Sequence, residues 1–182
     1  MFSIFNDFSL GRLHIYHQEF SPHKHAHGGI TSSKILLDDE LHQDISGFGL
    51  ARLLVQSAIK KSPTRAVGYL AREARDEDGV VSQRANVYAF GIVALEMVIG
   101  QEASTGQEAS TELEAWVRQA FRKERSLSEV VDPALLHEVH AKREVLAVFH
   151  VALGCTEADP ELCLQMRAVA ESLERVGGGW SR

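Results

Sequence analysis

The segment from residue 82 to residue 100 constrains the fold more than any other part of this chain. Ser82 is followed by "QRANVYAFGIVALEMVI" and then by Gly100. Serine is a preferred residue before the first helical turn and glycine after the last one, so the spacing predicts a helix between them. The apolar residues run nearly all the way round this helix. Such a helix is buried in the centre of a domain, and the rest of the chain must pack around it.

The remaining pattern predicts a mainly helical domain with one small pair of strands. "KILLDDE" and "DISGFGLARLL" indicate two short strands and a turn. Thr111 and Glu114 have the spacing of a capping box, and Trp116 and Phe121 on the helix that follows are expected to face the core. Three further helices are predicted, at residues 111–124, 142–157 and 164–176.

Other segments have weaker patterns. Residues 6–20 have roughly helical spacing that Gly11 weakens, and residues 55–81 lack a sustained period, as in a long loop. The hexapeptide "GQEAST" occurs at 100–105 and again at 106–111, which favours a duplicated linker. Residues 177–182 are predicted to form a flexible tail.

Composition excludes several classes of protein. A chain of 182 residues with 45% hydrophobic and 24% charged residues suits one globular domain with a sizeable core. The net charge of -6, with scattered lysines and arginines, gives no indication of a nucleic-acid partner. Cys155 and Cys163 do not make a disulfide framework, so we expect an intracellular protein. No apolar run approaches the length of a membrane span, and the N-terminus lacks the pattern of a signal peptide.

Five blocks of the sequence, in this order, resemble the C-terminal lobe of protein kinases. They are "HGGITSSKILLDDE", "ISGFGLARLL", "GYLARE", "RANVYAFGIVALEMVIG" and "DPELCLQMRAVAESLERV". They are similar to plant leucine-rich-repeat receptor-like kinases, in the subgroup whose catalytic loop begins His-Gly. The resemblance implies a partial domain over residues 1–176, built as the helical large lobe of a kinase with a short β-hairpin. No block resembling the small lobe, with its Gly-rich loop and strand lysine, precedes Met1, so we expect that lobe to be absent.

The resemblance places four positions of the phosphoryl-transfer site on unsuitable residues. Kinases need a carboxylate to accept the substrate hydroxyl proton and oxygen ligands to hold Mg²⁺. Gly29 matches the carboxylate position and Thr31 the loop lysine, whereas Lys34 and Gly47 match the two metal-binding positions. Glycine offers no side chain and an ammonium repels Mg²⁺. The resemblance therefore implies an inactive kinase that uses neither the ATP nor the Mg²⁺ of its family.

Five structural positions of the family are matched by His27, Phe48, Gly49, Glu73 and Asn86. His27 and Phe48 match two stacked residues of the hydrophobic spine, although plain core packing would also account for both. Asn86 replaces an aspartate that accepts hydrogen bonds from the catalytic-loop backbone, and its amide oxygen can still accept them. Glu73 matches a glutamate whose usual arginine partner is replaced by Cys163. Unless Arg72 or Arg75 pairs with Glu73, we expect a loose activation segment.

Two further sets of side chains are candidates for chemistry. The first could substitute for the lost carboxylates, but by resemblance its members lie beyond the catalytic loop: Asp38, Asp39 and Asp44. The second alternates along an extended segment and could bind Zn²⁺ or Cu²⁺: His23, His25 and His27. No cysteine or carboxylate lies nearby, which disfavours a metal site. "HEVH" at 137–140 lacks the spacing of a zinc protease, and a solvated helix face accounts for it better.

Three functions are compatible with the sequence. The favoured one is an inactive kinase-like lobe that binds another protein kinase or a signalling protein. The second is a truncated gene product without a selected function, which the missing lobe and the duplicated hexapeptide would explain. The third is a working ATP-dependent Ser/Thr protein kinase, which Gly29, Lys34 and Gly47 disfavour. The receptors that the chain resembles carry a cytoplasmic kinase domain at the plasma membrane, so we expect a cytoplasmic location.

Overall fold

The structure is a computed structural model of the chain, and it describes residues 27–39, 43–47, 69–71, 82–101, 109–136, 141–157, 159 and 161–177. The described elements are strands β1 (Ile35–Leu37) and β2 (Gln43–Ile45) and helices α1 (Gln83–Ile99), α2 (Ala109–Arg122), α3 (Ala141–Cys155) and α4 (Met166–Gly177). The mainly α fold with one short β-hairpin is therefore confirmed. The predictions for residues 6–20, for "HEVH" and for most of 55–81 lie outside the described residues, as does nearly all of the tail.

Helix α1 is the central helix that the sequence predicts. The Ser82 hydroxyl accepts a hydrogen bond from Ala85 N at 3.1 Å, which satisfies one N–H group of the first turn. The helix ends at Gly100, whose φ of 74° is left-handed and suits glycine. Nearly every residue between these caps is buried, with Ile92 and Leu95 fully so. The core of the lobe therefore surrounds this helix.

Helix α3 crosses α1 at Gly91. A Cβ atom at residue 91 would lie 2.7 Å from Cys155 Cβ and 3.0 Å from the Ala152 carbonyl oxygen. The two helices can therefore approach this closely only because residue 91 has no side chain. Helix α4 covers α3 from the other side, and it buries an apolar stripe formed by Met166, Val169 and Leu173.

Helix α2 differs from its prediction in two respects. It begins at Ala109, so Thr111 lies within the helix and the predicted capping box is wrong. The Glu114 carboxylate instead accepts a hydrogen bond from Arg118 Nε at 2.8 Å. Trp116 was expected in the core but is 37% exposed. Phe121 does face the core, where its ring packs edge-on against Phe149 with centroids 5.4 Å apart.

Arg118 joins α2 to the C-terminal end of α3. Its guanidinium donates to the carbonyl oxygens of Leu153 and Thr156, at 2.9 and 3.1 Å. It also forms ion pairs with Glu114 at 2.8 Å and Glu157 at 3.3 Å. Helix C-termini carry carbonyls without intrahelical partners and a partial negative charge, so a cation is favourable there.

The two strands form an antiparallel hairpin with Ile35 opposite Ile45 and Leu37 opposite Gln43. Ser46 N donates to Lys34 O at 2.9 Å and extends the pairing beyond the last strand residue. The pair of strands that the sequence predicts is confirmed. None of the helices in the described part of the chain is long and apolar enough to cross a membrane.

Candidate functional site

The segment from His27 to Lys34, here called the catalytic-type loop, is fixed to both the central helix and the hairpin. Gly28 N donates to Asn86 Oδ1 at 3.0 Å, which ties the loop to the first turns of α1. The His27 ring is buried, and its Nε2 lies 3.0 Å from the Ser46 carbonyl oxygen, which can only accept. Ile30 is also buried. These contacts and the burial of His27 and Ile30 fix the loop to its neighbouring elements.

Burial lowers the pKa of His27 below its ordinary value, and the nearby Lys34 charge acts in the same direction. The hydrogen bond to the Ser46 carbonyl oxygen raises the pKa of His27 and so opposes this shift, but its effect is smaller than that of burial. The imidazole faces the interior, as the resemblance implies. His23 and His25 lie outside the described residues, so the metal hypothesis for these histidines stays untested.

Lys34 folds back into the loop, and its Nζ atom donates a hydrogen bond to Gly29 O at 2.6 Å. A Cβ atom at residue 29 would lie 2.8 Å from that same nitrogen. The ammonium therefore occupies space next to the position from which a catalytic carboxylate would project. Partial burial lowers the pKa of Lys34.

The other two matched positions also lack groups for phosphoryl transfer. Thr31 lies in the buried part of the loop, and its hydroxyl bonds with Ser33 Oγ at 3.0 Å. Gly47 follows the hairpin with a φ of 81°, a conformation that favours glycine. Three carboxylates on the hairpin are exposed: Asp38, Asp39 and Asp44.

The residues of the loop do not fit the Mg²⁺ of the kinase family. Mg²⁺ takes six oxygen ligands, usually including one or two carboxylates. Neither Gly29 nor Gly47 supplies a carboxylate, and the Lys34 ammonium already binds the Gly29 carbonyl oxygen. Across the described residues, no three His, Cys, Asp or Glu side chains are grouped so that they could hold a metal ion.

A buried contact between a tyrosine hydroxyl and a glutamate carboxylate supports the catalytic-type loop. The sequence pattern does not predict this contact. Tyr69 Oη donates to Glu96 Oε1 at 2.6 Å, and the same hydroxyl bonds with Ser32 Oγ at 3.1 Å. Glu96 comes from α1 and is 4% exposed. The signal was available, because Glu96 is an acid in a helix that is otherwise apolar all round, and a buried carboxylate needs a donor.

Three predicted positions, Phe48, Gly49 and Glu73, lie outside the described residues. Cys163, which matches the usual partner of Glu73, donates its thiol hydrogen to the Cys155 carbonyl oxygen at 3.2 Å. The expected looseness of the activation segment stays a prediction, since most of that segment is not described.

Comparisons with known proteins agree with this architecture. Residues 18–142 match the profile of the protein tyrosine and serine/threonine kinase family. Two similar proteins of Arabidopsis thaliana are named "probable inactive". One, a leucine-rich repeat receptor-like protein kinase, is 32% identical over 88% of this chain and 25% of its own length. The other, a receptor kinase, is 34% identical over 82% of this chain and 23% of its own length.

A leucine-rich repeat receptor-like protein kinase of the same plant, without "inactive" in its name, is 33% identical over 88% of this chain. Among solved structures, the pseudokinase domain of BIR2, an immune regulator of the RLK/Pelle family, has a TM-score of 0.69 and 27% identity. That match covers 86% of this chain and 45% of the BIR2 chain.

These matches are partial with respect to the other proteins, because the chain spans about a quarter of the length of the curated relatives quoted. Within this chain they are extensive, and the family profile covers the catalytic-type loop, the hairpin, α1 and α2. The chain belongs to the protein tyrosine and serine/threonine kinase family, with relatives among plant receptor-like kinases that include several named as inactive.

Proposed function

We propose that this chain is a catalytically inactive kinase-like lobe that acts by binding another protein of receptor-kinase signalling. The single observation that carries the first half of the proposal is the contact of Lys34 Nζ with Gly29 O. An active site would need a carboxylate at residue 29 and a metal ligand at residue 34. This chain has no side chain at the first and an ammonium at the second.

The electrostatics of this arrangement oppose nucleotide chemistry. Catalysis of phosphoryl transfer depends mostly on positioning and on Mg²⁺ that neutralises developing charge. The Lys34 ammonium would repel a divalent ion bound beside residue 34. This repulsion is stronger in a partly buried site than in water, because the surroundings screen charges less. The third function considered from the sequence, a working ATP-dependent Ser/Thr kinase, is therefore not supported by this loop.

The second half of the proposal rests on what the lobe keeps. The catalytic-type loop is fixed by Gly28, Asn86 and Tyr69 although the catalytic groups are missing. The described surface also exposes large apolar side chains, among them Trp116 on α2 and Leu162 before α4. A preserved frame with exposed aromatic and aliphatic side chains suits protein binding better than catalysis. The proposed partners are another protein kinase or a signalling protein, and the proposed location is the cytoplasm.

A thermal melt of the purified chain tests the inactive site. We expect the same melting temperature with Mg²⁺ alone, with Mg²⁺-ATP and with neither. A ligand at about 100 times its dissociation constant would add about 2.7 kcal/mol of stability, which such a melt detects readily. A melting temperature that rises with Mg²⁺-ATP would contradict the proposal.

A matched variant makes this test sharper. The triple substitution Gly29→Asp, Lys34→Asn and Gly47→Asp restores the family groups at the matched positions. We expect Mg²⁺ to stabilise this variant more than the unmodified chain, because each of the three substitutions makes the site more negative by one charge. Equal responses to Mg²⁺ would show that these positions do not decide metal binding.

Direct binding tests the interaction role. We expect a purified cytoplasmic kinase domain of a plant leucine-rich repeat receptor kinase to bind the immobilised chain in biolayer interferometry. Trp116→Ala, which removes an exposed aromatic side chain, is the variant to be compared with the unmodified chain for binding. Lys142→Ala, at an exposed position on α3, is its control. Absence of binding across a panel of such domains would contradict the interaction role, while leaving the result of the melt in place.

A further inference from the structure

The two cysteines of the chain lie at one corner of the lobe, where α3 ends and the connection to α4 returns. Cys155 is the last residue of α3, and Cys163 lies in the connection that precedes Met166. Both are reduced thiols in the structure. The corner is distinct from the catalytic-type loop, so this inference stands apart from the proposed function.

Two successive residues of the connection contact two successive residues at the helix end. Leu164 N donates to Gly154 O at 3.2 Å, and Cys163 Sγ donates to Cys155 O at 3.2 Å. Leu164 also packs flush against Gly154, since a Cβ atom there would lie 2.8 Å from Leu164 Cδ1. The Cys163 sulfur therefore already contacts the residue with which it would form a bridge. Disulfides join residues whose Cα atoms lie about 4.4–6.8 Å apart.

We propose that Cys155 and Cys163 form a peroxide-sensitive dithiol that closes to an intramolecular disulfide. The Cys163 sulfur attacks one oxygen of hydrogen peroxide, the O–O bond breaks, and water leaves as the sulfenic acid forms. The Cys155 sulfur then attacks the Cys163 sulfur, the S–O bond breaks and the S–S bond forms. The thiol proton leaves with a second water. The dithiol loses two electrons, and the peroxide gains them.

The order of these steps follows from exposure. Cys155 is 0% exposed, whereas Cys163 is half-buried at the surface of the corner. Burial, reinforced by the neighbouring Cys163, raises the pKa of the Cys155 thiol well above its usual range. Cys155 is therefore protected from peroxide itself, since the thiolate is the reactive form. The second step also uses the Cys155 thiolate, but there the oxidised Cys163 sulfur is in contact with residue 155 and needs no access from solvent.

Peptide mapping of the full chain tests the proposal. The reduced protein is exposed to hydrogen peroxide well below its melting temperature, then denatured and treated with iodoacetamide. We expect both thiols to become unreactive together and the intact mass to fall by two hydrogen atoms. The peptides that contain Cys155 and Cys163 should be linked, and dithiothreitol should restore both thiols. The oxidised protein should melt at a higher temperature than the reduced one, because the bridge restricts the unfolded chain.

Single-cysteine variants separate the two steps. Cys155→Ser should accumulate a sulfenic acid at Cys163 that dimedone traps, and Cys163→Ser should keep Cys155 unmodified. Three results would overturn the proposal. The first is over-oxidation of Cys163 in the unmodified chain while Cys155 stays reactive. The second is cross-linking only between molecules. The third is a bridge that lowers the melting temperature, because the thiols would then meet only when the fold is disrupted.

Discussion

Lys34 and Gly29 are joined by a hydrogen bond of 2.6 Å from the lysine ammonium to the glycine carbonyl oxygen, across the turn of the catalytic-type loop. The absence of a side chain at residue 29 gives the ammonium room, since a Cβ atom there would lie 2.8 Å from it. The two residues therefore act as a pair. The loop thus holds a lysine at the position that, by resemblance, matches a metal-binding residue of the family.

Lys34→Met should destabilise the lobe by about 1–2 kcal/mol, because it removes a charge-assisted hydrogen bond in a half-buried loop. Urea unfolding measures this change. Lys142→Met, at an exposed position on α3, is the control and should change the free energy of unfolding by less than about 0.5 kcal/mol. Equal effects of the two substitutions would contradict a structural role for Lys34.

Tyr69→Phe should cost about 2–3 kcal/mol, since it removes a short hydrogen bond to the buried carboxylate of Glu96 and a contact with Ser32. Tyr88→Phe is a matched control, because the Tyr88 hydroxyl bonds with Glu114 at a longer 3.3 Å. That variant should cost about 0.5–1 kcal/mol in the same denaturation experiment. If Tyr88→Phe is the more damaging variant, the Tyr69–Glu96 contact is not the important one.

Gly91→Ala should destabilise the lobe by about 1–3 kcal/mol, because the new methyl group would overlap Cys155 Cβ and the backbone of α3. Gly154→Ala is the control within a helix. The three atoms nearest its new methyl group all belong to the Leu164 side chain, with Cδ1 at 2.8 Å and Cγ at 3.1 Å, and this side chain can move. Because alanine favours helix over glycine by about 1 kcal/mol, Gly154→Ala should be nearly neutral. Thermal melts of both variants would test this difference, and similar losses would contradict the close crossing at Gly91.

Arg118→Gln should cost about 2–3 kcal/mol, because it removes two ion pairs and leaves the carbonyls at the end of α3 without their donor. Arg167→Gln breaks an exposed pair with Glu171 and should cost less than about 0.5 kcal/mol. Unfolding in low and high salt adds a second readout, since only the exposed pair is fully screened. A small loss for Arg118→Gln would show that α2 and α3 do not depend on this residue.

Stability should fall on acidification through the His27 imidazole. Burial lowers its pKa in the folded state, so below about pH 6.5 the unfolded chain binds this proton first and is favoured. His27→Gln should therefore lose less stability than the unmodified chain between about pH 7.5 and about pH 5.5. His150→Gln, which replaces an exposed histidine on α3, is the control variant. Parallel pH profiles for His27→Gln and the unmodified chain would contradict this assignment.

The sequence by itself determined the elements and their order. Ser82, Gly100 and an apolar surface all round were enough to predict the central helix, because caps and burial are local properties of the chain. The β-hairpin and the helices near 142–157 and 164–176 followed from periodicity in the same way. The resemblance also assigned a catalytic-type loop to residues 27–34, and the loss of its chemistry stays a prediction.

Only the tertiary structure decided how distant residues meet. Sequence placed Lys34 where a metal ligand is usual, but not its ammonium against the Gly29 carbonyl. The sequence also provided no partner for Glu96. It placed Trp116 in the core, because amphipathic spacing identifies the apolar face of a helix but not how much of that face neighbouring helices cover. It also misplaced the start of α2, because helix ends depend on weak local contacts. In the structure, Glu114 is bonded to Arg118 and Tyr88. The Tyr69–Glu96 and Tyr88–Glu114 contacts join residues far apart in the chain, and periodicity carries no information about them.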